Sequence, residues 1–251
     1  MIKLIYDGDP GIDDALAILY ALNSPKTILQ GITTVAGNVT IDKTTKNALN
    51  LLEMAERSEI PVAKGAAKPL LRELRQAEEF HGPDGLGNTN LPEPKLKPEP
   101  IHAMDQIISS IMANKGDIAL VAAGPLTNLA MAVLKEPNIR FHVRKVIIMG
   151  GAIRAPGNVT MASEFNIYTD PEAAKIVFNS GLPIILVSLD EELMTESENI
   201  YVDVETEGKI TLGKTQADLR RYSKCQPSLT HCVQIDYEKF FNDFVDTLRR
   251  K

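Results

Sequence analysis

Short apolar runs rich in β-branched residues alternate with helical patterns along most of the chain. "KLIYD" (residues 3–7) predicts a strand, and Asp14 to Leu22 a helix ended by Asn23-Ser24-Pro25. "TILQGITTVAG" predicts a second strand, Thr40 to Ala55 a second helix, and "IPVAKG" a short third strand. A polar segment rich in Pro and Gly, Lys68 to Pro100, then breaks the rhythm. Loops of that length in compact domains are usually lids, binding loops or disordered. The rhythm resumes with a helix over Ala103–Ala113, the strand "DIALVAAG", the helix "PLTNLAMAVLKE" and the strand "RKVIIMGG". An irregular stretch, the helix "DPEAAKIVFNS" and the strand "LPIILVSLD" follow. Unbroken apolar strands between helices indicate a parallel sheet covered on both faces. After Asp190 the pattern changes. "YVDVETEGKITLGKT" predicts an antiparallel pair turning near Glu207-Gly208, "THCVQID" another strand, and "YEKFFNDFVDTLRR" an amphipathic closing helix. The expected fold is therefore α/β: one domain over residues 1–251, with an open, mostly parallel, Rossmann-like sheet, helices on both faces and a small antiparallel C-terminal extension.

Composition narrows the function classes only a little. A hydrophobic fraction of 44% and a charged fraction of 24% are those of a soluble globular protein. A net charge of −6 and a pI near 5.3 argue against a nucleic-acid surface, which needs a basic patch. Cys225 and Cys232 make no disulfide framework and no metal-finger spacing, so a reducing cytoplasm is the expected home. Met1 leads straight into a strand-like segment with no signal-type stretch, and no apolar run approaches the ~18 residues of a membrane span.

The chemistry concentrates where the first strand meets the first helix. In "DGDPGIDDA", Asp7, Asp9, Asp13 and Asp14 crowd together with no Lys or Arg among them. Carboxylates that close raise one another's pKa, so the cluster is costly unless a cation or a proton transfer uses it. The plainer account is that Asp13 or Asp14 caps the helix and the others are solvated. One helix needs one cap, however, and oxygen-only clusters suit a hard cation such as Ca²⁺ or Mg²⁺. In open α/β sheets, ligands bind beyond the carboxyl ends of the strands. The cluster lies on that edge. So do Gly37-Asn38, Ala123 to Asn128 and Gly150-Gly151, although each alone reads as turn chemistry. "GNVTMASEFNIYTDPEAA" adds Asn158, Glu164 and Asn166, whose paired donors and acceptors suit a polyol such as a sugar, while Asp170 reads as a helix cap.

These blocks resemble the inosine–uridine-preferring nucleoside hydrolase family. "DGDPGIDDA" is similar to its D-x-D-P-G-x-D-D signature, and "ITTVAGN", "HGPDGLG", "AAGPLTNLA", "IIMGGA", "GNVT" and "EFNIYTDPEAA" resemble later blocks in family order. The resemblance implies hydrolysis of the N-glycosidic bond of ribonucleosides to ribose and free base, assisted by Ca²⁺. It implies that Asp9 binds the metal and takes a proton from the attacking water, and that Asp14 and the backbone carbonyl of Ala123 also ligate the metal. Asp7 supports the cluster, Asp13 reaches the ribose, and Asn38, Asn158, Glu164 and Asn166 hold ribose hydroxyls. His81 matches a loop histidine near the base. A nucleoside partner and a homo-oligomer, dimer or tetramer, are implied as well.

One departure stands out. In the family the strand matching "LPIILVSLD" leads into a long, mainly helical excursion that ends near a His-Asp pair. The Asp of that pair is a metal ligand, and its His can protonate the leaving base. Here "SLDEELMTESENIYVDVE" runs almost directly into the C-terminal strands, and none of His81, His102, His142 and His231 is followed by Asp. Asp190, or Glu191 beside it, is expected to replace the missing ligand in part; the alternative is a solvated turn. Nothing is expected to replace the histidine. A relative that binds Ca²⁺ and ribose-like ligands without turnover is the competing expectation.

Overall fold

In a computed structural model of the chain, residues 1–190, 197–220, 225–233 and 236–249 are described. The first strand shows how the sheet is built. In β1 (Ile2–Gly8) side chains alternate between faces, so Leu4 and Tyr6 enter one apolar core while Ile5 enters the other. β4 (Ile118–Ala122) behaves alike, with Ala119 in the first core and Ile118 and Leu120 in the second. Both faces are covered, which explains why these strands read as unbroken apolar runs.

The first core is closed by α1 (Ile12–Asn23) and α2 (Ile41–Met54), through Ile18, Ala48, Leu49 and Leu52. The second is closed by α4 (Ala103–Ala113), α5 (Thr127–Lys135) and α7 (Pro171–Phe178), through Ile107, Ile111, Leu129, Val177 and Phe178. Between α2 and α4 lie β3 (Val62–Lys64) and the short helix α3 (Glu78–His81). Between β5 (Lys145–Met149) and α7 lies the short α6 (Phe165–Thr169).

With β2 (Thr27–Thr34), β6 (Ile184–Val187), β7 (Ser197–Ile200) and β10 (Leu229–Cys232), the main sheet runs β3-β2-β1-β4-β5-β6-β10-β7. All neighbours pair in parallel except β10 and β7, which are antiparallel. Strand order turns about β1, which has β2 on one side and β4 on the other. The switch point thus lies where β1 ends in Asp7-Gly8 and β4 in Ala122.

The C-terminal region departs from expectation in one way. The antiparallel pair exists as β8 (Val202–Val204) and β9 (Thr215–Ala217), but Val202 faces Ala217 and Val204 faces Thr215. Residues 205–214 therefore connect them, in place of a tight turn at Glu207-Gly208. The N–H groups of Glu207 and Gly208 instead donate to the Glu205 carboxylate, which turns the chain early without starting a strand. The strand expected at "THCVQID" is β10, which joins the main sheet beside β6; residues 234–235 lie outside the described ones. The amphipathic closing helix is α8 (Tyr237–Leu248), which packs on α1 by stacking Phe244 against Tyr20. Among the described residues no helix is long and apolar enough to cross a membrane.

Candidate active site

Asp9 sits just beyond β1 and is almost fully buried. Its Oδ2 accepts the Asn38 N–H at 2.6 Å, while its Oδ1 is buried with no hydrogen-bond partner. Glycine backbones wall in this carboxylate. A Cβ at Gly37 would run into Asp9 Oδ2 and one at Gly124 into Oδ1, so only residues without a side chain fit there. Burial pushes the Asp9 carboxyl well above its usual 3.8, and the Asp14 charge adds to the push against the pull of the Asn38 N–H.

Asp14 is also buried. Neither it nor Asp13 is the N-cap of α1, which is Gly11; from the third helical position the Asp14 Oδ2 accepts the Gly11 N–H at 2.9 Å, half of a capping box. Its Oδ1 accepts the Tyr6 hydroxyl at 2.5 Å. Burial, with the charge of Asp13, raises Asp14 to about 7. Asp13 itself is exposed and lies 3.8 Å from His81 Nδ1, which accepts the Ile12 N–H at 3.3 Å. Asp7 lies beneath. Its Oδ1 accepts Thr33 Oγ1 at 2.6 Å and Asn128 Nδ2 at 2.8 Å, and burial still raises it to about 6.

A cavity of about 350 Å³ opens above these groups, lined by Asp13, Asp14, Asn38, His81, Ala123, Asn158, Glu164 and Asn166. Most of the residues named from sequence as sugar or metal groups therefore converge; Asp9 does not itself line the cavity but is held by Asn38, which does. Glu164 caps α6: its Oε1 accepts Asn166 N–H at 2.9 Å, and its Oε2 accepts Gly151 N–H at 2.9 Å and Ile167 N–H at 3.2 Å. Burial raises its carboxyl above the usual 4.5 despite these bonds. Asn166 Nδ2 donates to the Ala123 carbonyl at 3.1 Å, and Asn158 Oδ1 accepts Phe165 N–H at 2.9 Å.

Several lining residues escaped the sequence reading: Arg75, Gln76, Glu79 and Phe80 from the long polar segment, and Met149 and Phe165. The unusual length of that segment was the only signal. Tyr6, which holds Asp14, read as an ordinary strand aromatic.

Asp190 goes elsewhere, and its expected part in a metal shell is not supported. Its carboxylate accepts the N–H groups of Ile153, at 2.7 Å, Arg154 and Ala155, and the Ser188 hydroxyl at 2.7 Å. Burial alone would raise this carboxyl, but these four donors bring it below its usual 3.8. It does not line the cavity, and its protein donors make it something other than a solvated turn. Glu191 lies outside the described residues. Among the described residues no three His, Cys, Asp or Glu side chains group as a complete metal shell. The oxygen donors near the cavity are Asp9, Asp14 and the Ala123 carbonyl. Such a set fits a hard cation that completes its shell with water or sugar hydroxyls, and the unpartnered Asp9 Oδ1 is the observation that favours one.

The family model of the inosine-uridine preferring nucleoside hydrolases matches residues 4–192. The chain belongs to that family. The pyrimidine-specific ribonucleoside hydrolase RihA of Salmonella arizonae is 35% identical to this family member over 308 residues, covering 99% of this chain and 98% of the relative. The probable uridine nucleosidase 2 of Arabidopsis thaliana is 49% identical over 190 residues, covering 75% of this chain but 59% of the relative. Among solved structures, the purine-preferring ribonucleoside hydrolase from Gardnerella vaginalis has a TM-score of 0.92 at 29% identity, covering 98% of both chains. The first alignment is longer than the 251 residues of this family member and reaches both ends. The relative therefore carries interior residues that this nucleoside hydrolase family member lacks.

Proposed function

We propose that the chain hydrolyses the N-glycosidic bond of ribonucleosides to ribose and free base, with Ca²⁺ held by Asp9, Asp14 and the Ala123 carbonyl. The observation that carries this reading is a buried carboxylate oxygen, Asp9 Oδ1, left without a partner beside a cavity lined by Asn and Glu side chains. Ca²⁺, when bound, supplies charge that offsets the repulsion between the two carboxylates and helps orient the sugar. Asp9 takes the proton of the attacking water, its Oδ1 having no protein hydrogen-bond partner. Asp13, Asn38, Asn158, Glu164 and Asn166 orient the ribose hydroxyls. The carboxylates around the ring stabilise the positive charge that grows on the sugar as the bond breaks. Among the described residues His81 is the one histidine lining the cavity; its Nδ1 accepts the Ile12 N–H, which leaves Nε2 as the ring nitrogen available to the base. The same reading implies nucleoside salvage in the cytoplasm and a homo-oligomer, the latter testable by light scattering.

One observation favours a weaker or non-catalytic relative. His231 is fully buried and does not line the cavity, so the family's acid has no counterpart there. A hydrolysis assay on uridine and inosine, with and without chelator, separates the two. Free base and ribose in metal-dependent amounts are expected. Tight ribose binding without product release would establish the non-catalytic reading instead. Calorimetric titration should show one Ca²⁺ site, lost on Asp14→Ala; no heat at millimolar Ca²⁺ would remove the metal from the account.

A further inference from the structure

The end of β6 is joined to the sugar-facing wall of the cavity by an unbroken series of hydrogen bonds. His231, on β10, is fully buried with Nε2 2.9 Å from Ser188 Oγ. The Ser188 hydroxyl donates to Asp190 Oδ2, so its oxygen is left to accept from His231. Asp190 in turn takes the consecutive N–H groups of Ile153, Arg154 and Ala155. The same strand end holds the loop from its other side. Val187 O accepts Gly150 N–H at 2.9 Å, and Leu189 N–H donates to Gly151 O at 2.9 Å. Gly151 N–H then points at Glu164 Oε2, 2.9 Å away. An ion pair closes the ring: Arg154 lies 2.7 Å from Glu198, whose carboxylate faces His231 Nδ1 at 3.2 Å.

We propose that Ser188, Asp190 and His231 form a positioning network that fixes the 150–155 loop so that Gly151 N–H holds the Glu164 carboxylate in its sugar-binding orientation. None of the three lines the cavity, so they act through Glu164 and not on substrate. A carboxylate that collects three backbone N–H groups locks a loop far more firmly than one neutral contact, because charge-assisted bonds are the strong ones. That stiffness matters, since small misplacements of a binding group cost binding and rate steeply. The proposal rests on the reading of Glu164 as a ribose-holding group.

Amide hydrogen exchange by NMR on the full chain tests the network without requiring turnover. In Asp190→Ala the amides of Gly151, Asn166 and Ile167 should exchange roughly tenfold faster or more, with β1 and β4 unchanged. Ser188→Ala, a milder change that keeps the carboxylate, should move the same amides in the same direction by less. Acceleration confined to Ile153–Ala155, or spread evenly over the sheet, would overturn the proposal. A second arm measures D-ribose binding by calorimetry. Asp190→Ala should weaken it, and Asp190→Ala combined with Glu164→Gln should bind no more weakly than Glu164→Gln alone. Fully additive losses would show that Asp190 does not act through Glu164. If the wild-type chain binds no ribose, the sugar reading fails while the exchange pattern still decides the network.

Discussion

Asp9 and Asp190 occupy equivalent places: each stands just past the carboxyl end of a parallel strand in one sheet, and each is nearly covered. Their surroundings are opposite. Asp9 has one backbone N–H on Oδ2 and nothing on Oδ1, beside a second buried carboxylate, and its acidity is suppressed. Asp190 has three N–H groups and a hydroxyl, and its acidity is enhanced. A carboxylate kept short of partners is held ready for a cation or a proton. One saturated with partners is a fastener. Position on the sheet edge does not separate the two roles; the donors around each oxygen do.

The sharpest way to break this contrast is Asp9→Asn. It keeps the shape, removes the base and a ligand charge, and should lower hydrolysis by more than the ~10²–10⁴-fold of general base catalysis. The melting temperature should hold or rise, because a buried charge has gone. A variant that unfolds would make Asp9 a fastener after all. Next comes the leaving group. With Asp190 and His231 turned away from the cavity, p-nitrophenyl riboside should be cleaved up to ~10²–10⁴-fold faster than inosine, since its leaving group needs little protonation. Equal rates would reveal a strong acid in the cavity and raise the standing of His81. A smaller effect concerns the sugar. Losing the 2′-hydroxyl strands groups such as Glu164 and Asn166, so 2′-deoxynucleosides should react at least about tenfold more slowly; equal rates would remove these residues from ribose binding.

The smallest effects are on stability, and there the acids beyond β1 and beyond β6 should respond oppositely to pH. Asp7 and Asp14 have folded pKa values of about 6 and about 7, above their usual 3.8. Their contribution is fully present below pH 3.8 and is lost as pH rises through 6 to 7. Metal-free protein should therefore melt higher at pH 5 than at pH 8, and Ca²⁺ should erase the difference. Asp190 is depressed, so its contribution is present above 3.8 and disappears as pH falls through its lower folded pKa. Asp190→Asn should thus be less stable than the wild type by about 1–3 kcal/mol near neutrality, with the gap closing in acid. A gap independent of pH would mean that packing, not charge, fastens the loop.

Strand ends and acid spacing made much of this legible in the sequence. The crevice followed from parallel strands and from residues such as Asn38, Ala123 and Asn166 at their carboxyl ends. The converging residues were legible because each belongs to a motif. The surroundings of Asp190 were not legible because sequence shows that a carboxylate ends a strand, but not that a loop from β5 turns three N–H groups toward it. Tyr6 was missed for the converse reason, since an aromatic in a buried strand shows its ring and hides its hydroxyl. The C-terminal hairpin was misplaced because "KITLGKT" has strand composition, while Thr215–Ala217 is too short to stand out.

The parallel place of β10 between β6 and β7 bears on how the protein is made. Synthesis runs from the N-terminus, so β3, β2, β1, β4, β5 and β6 can assemble before residues 229–232 exist. Over that interval Ile184–Val187, an entirely apolar strand, has no outer neighbour and offers its bare backbone to any passing chain. The nascent protein should be at its most aggregation-prone just then, and truncations ending before Leu229 should precipitate where the 251-residue chain stays in solution.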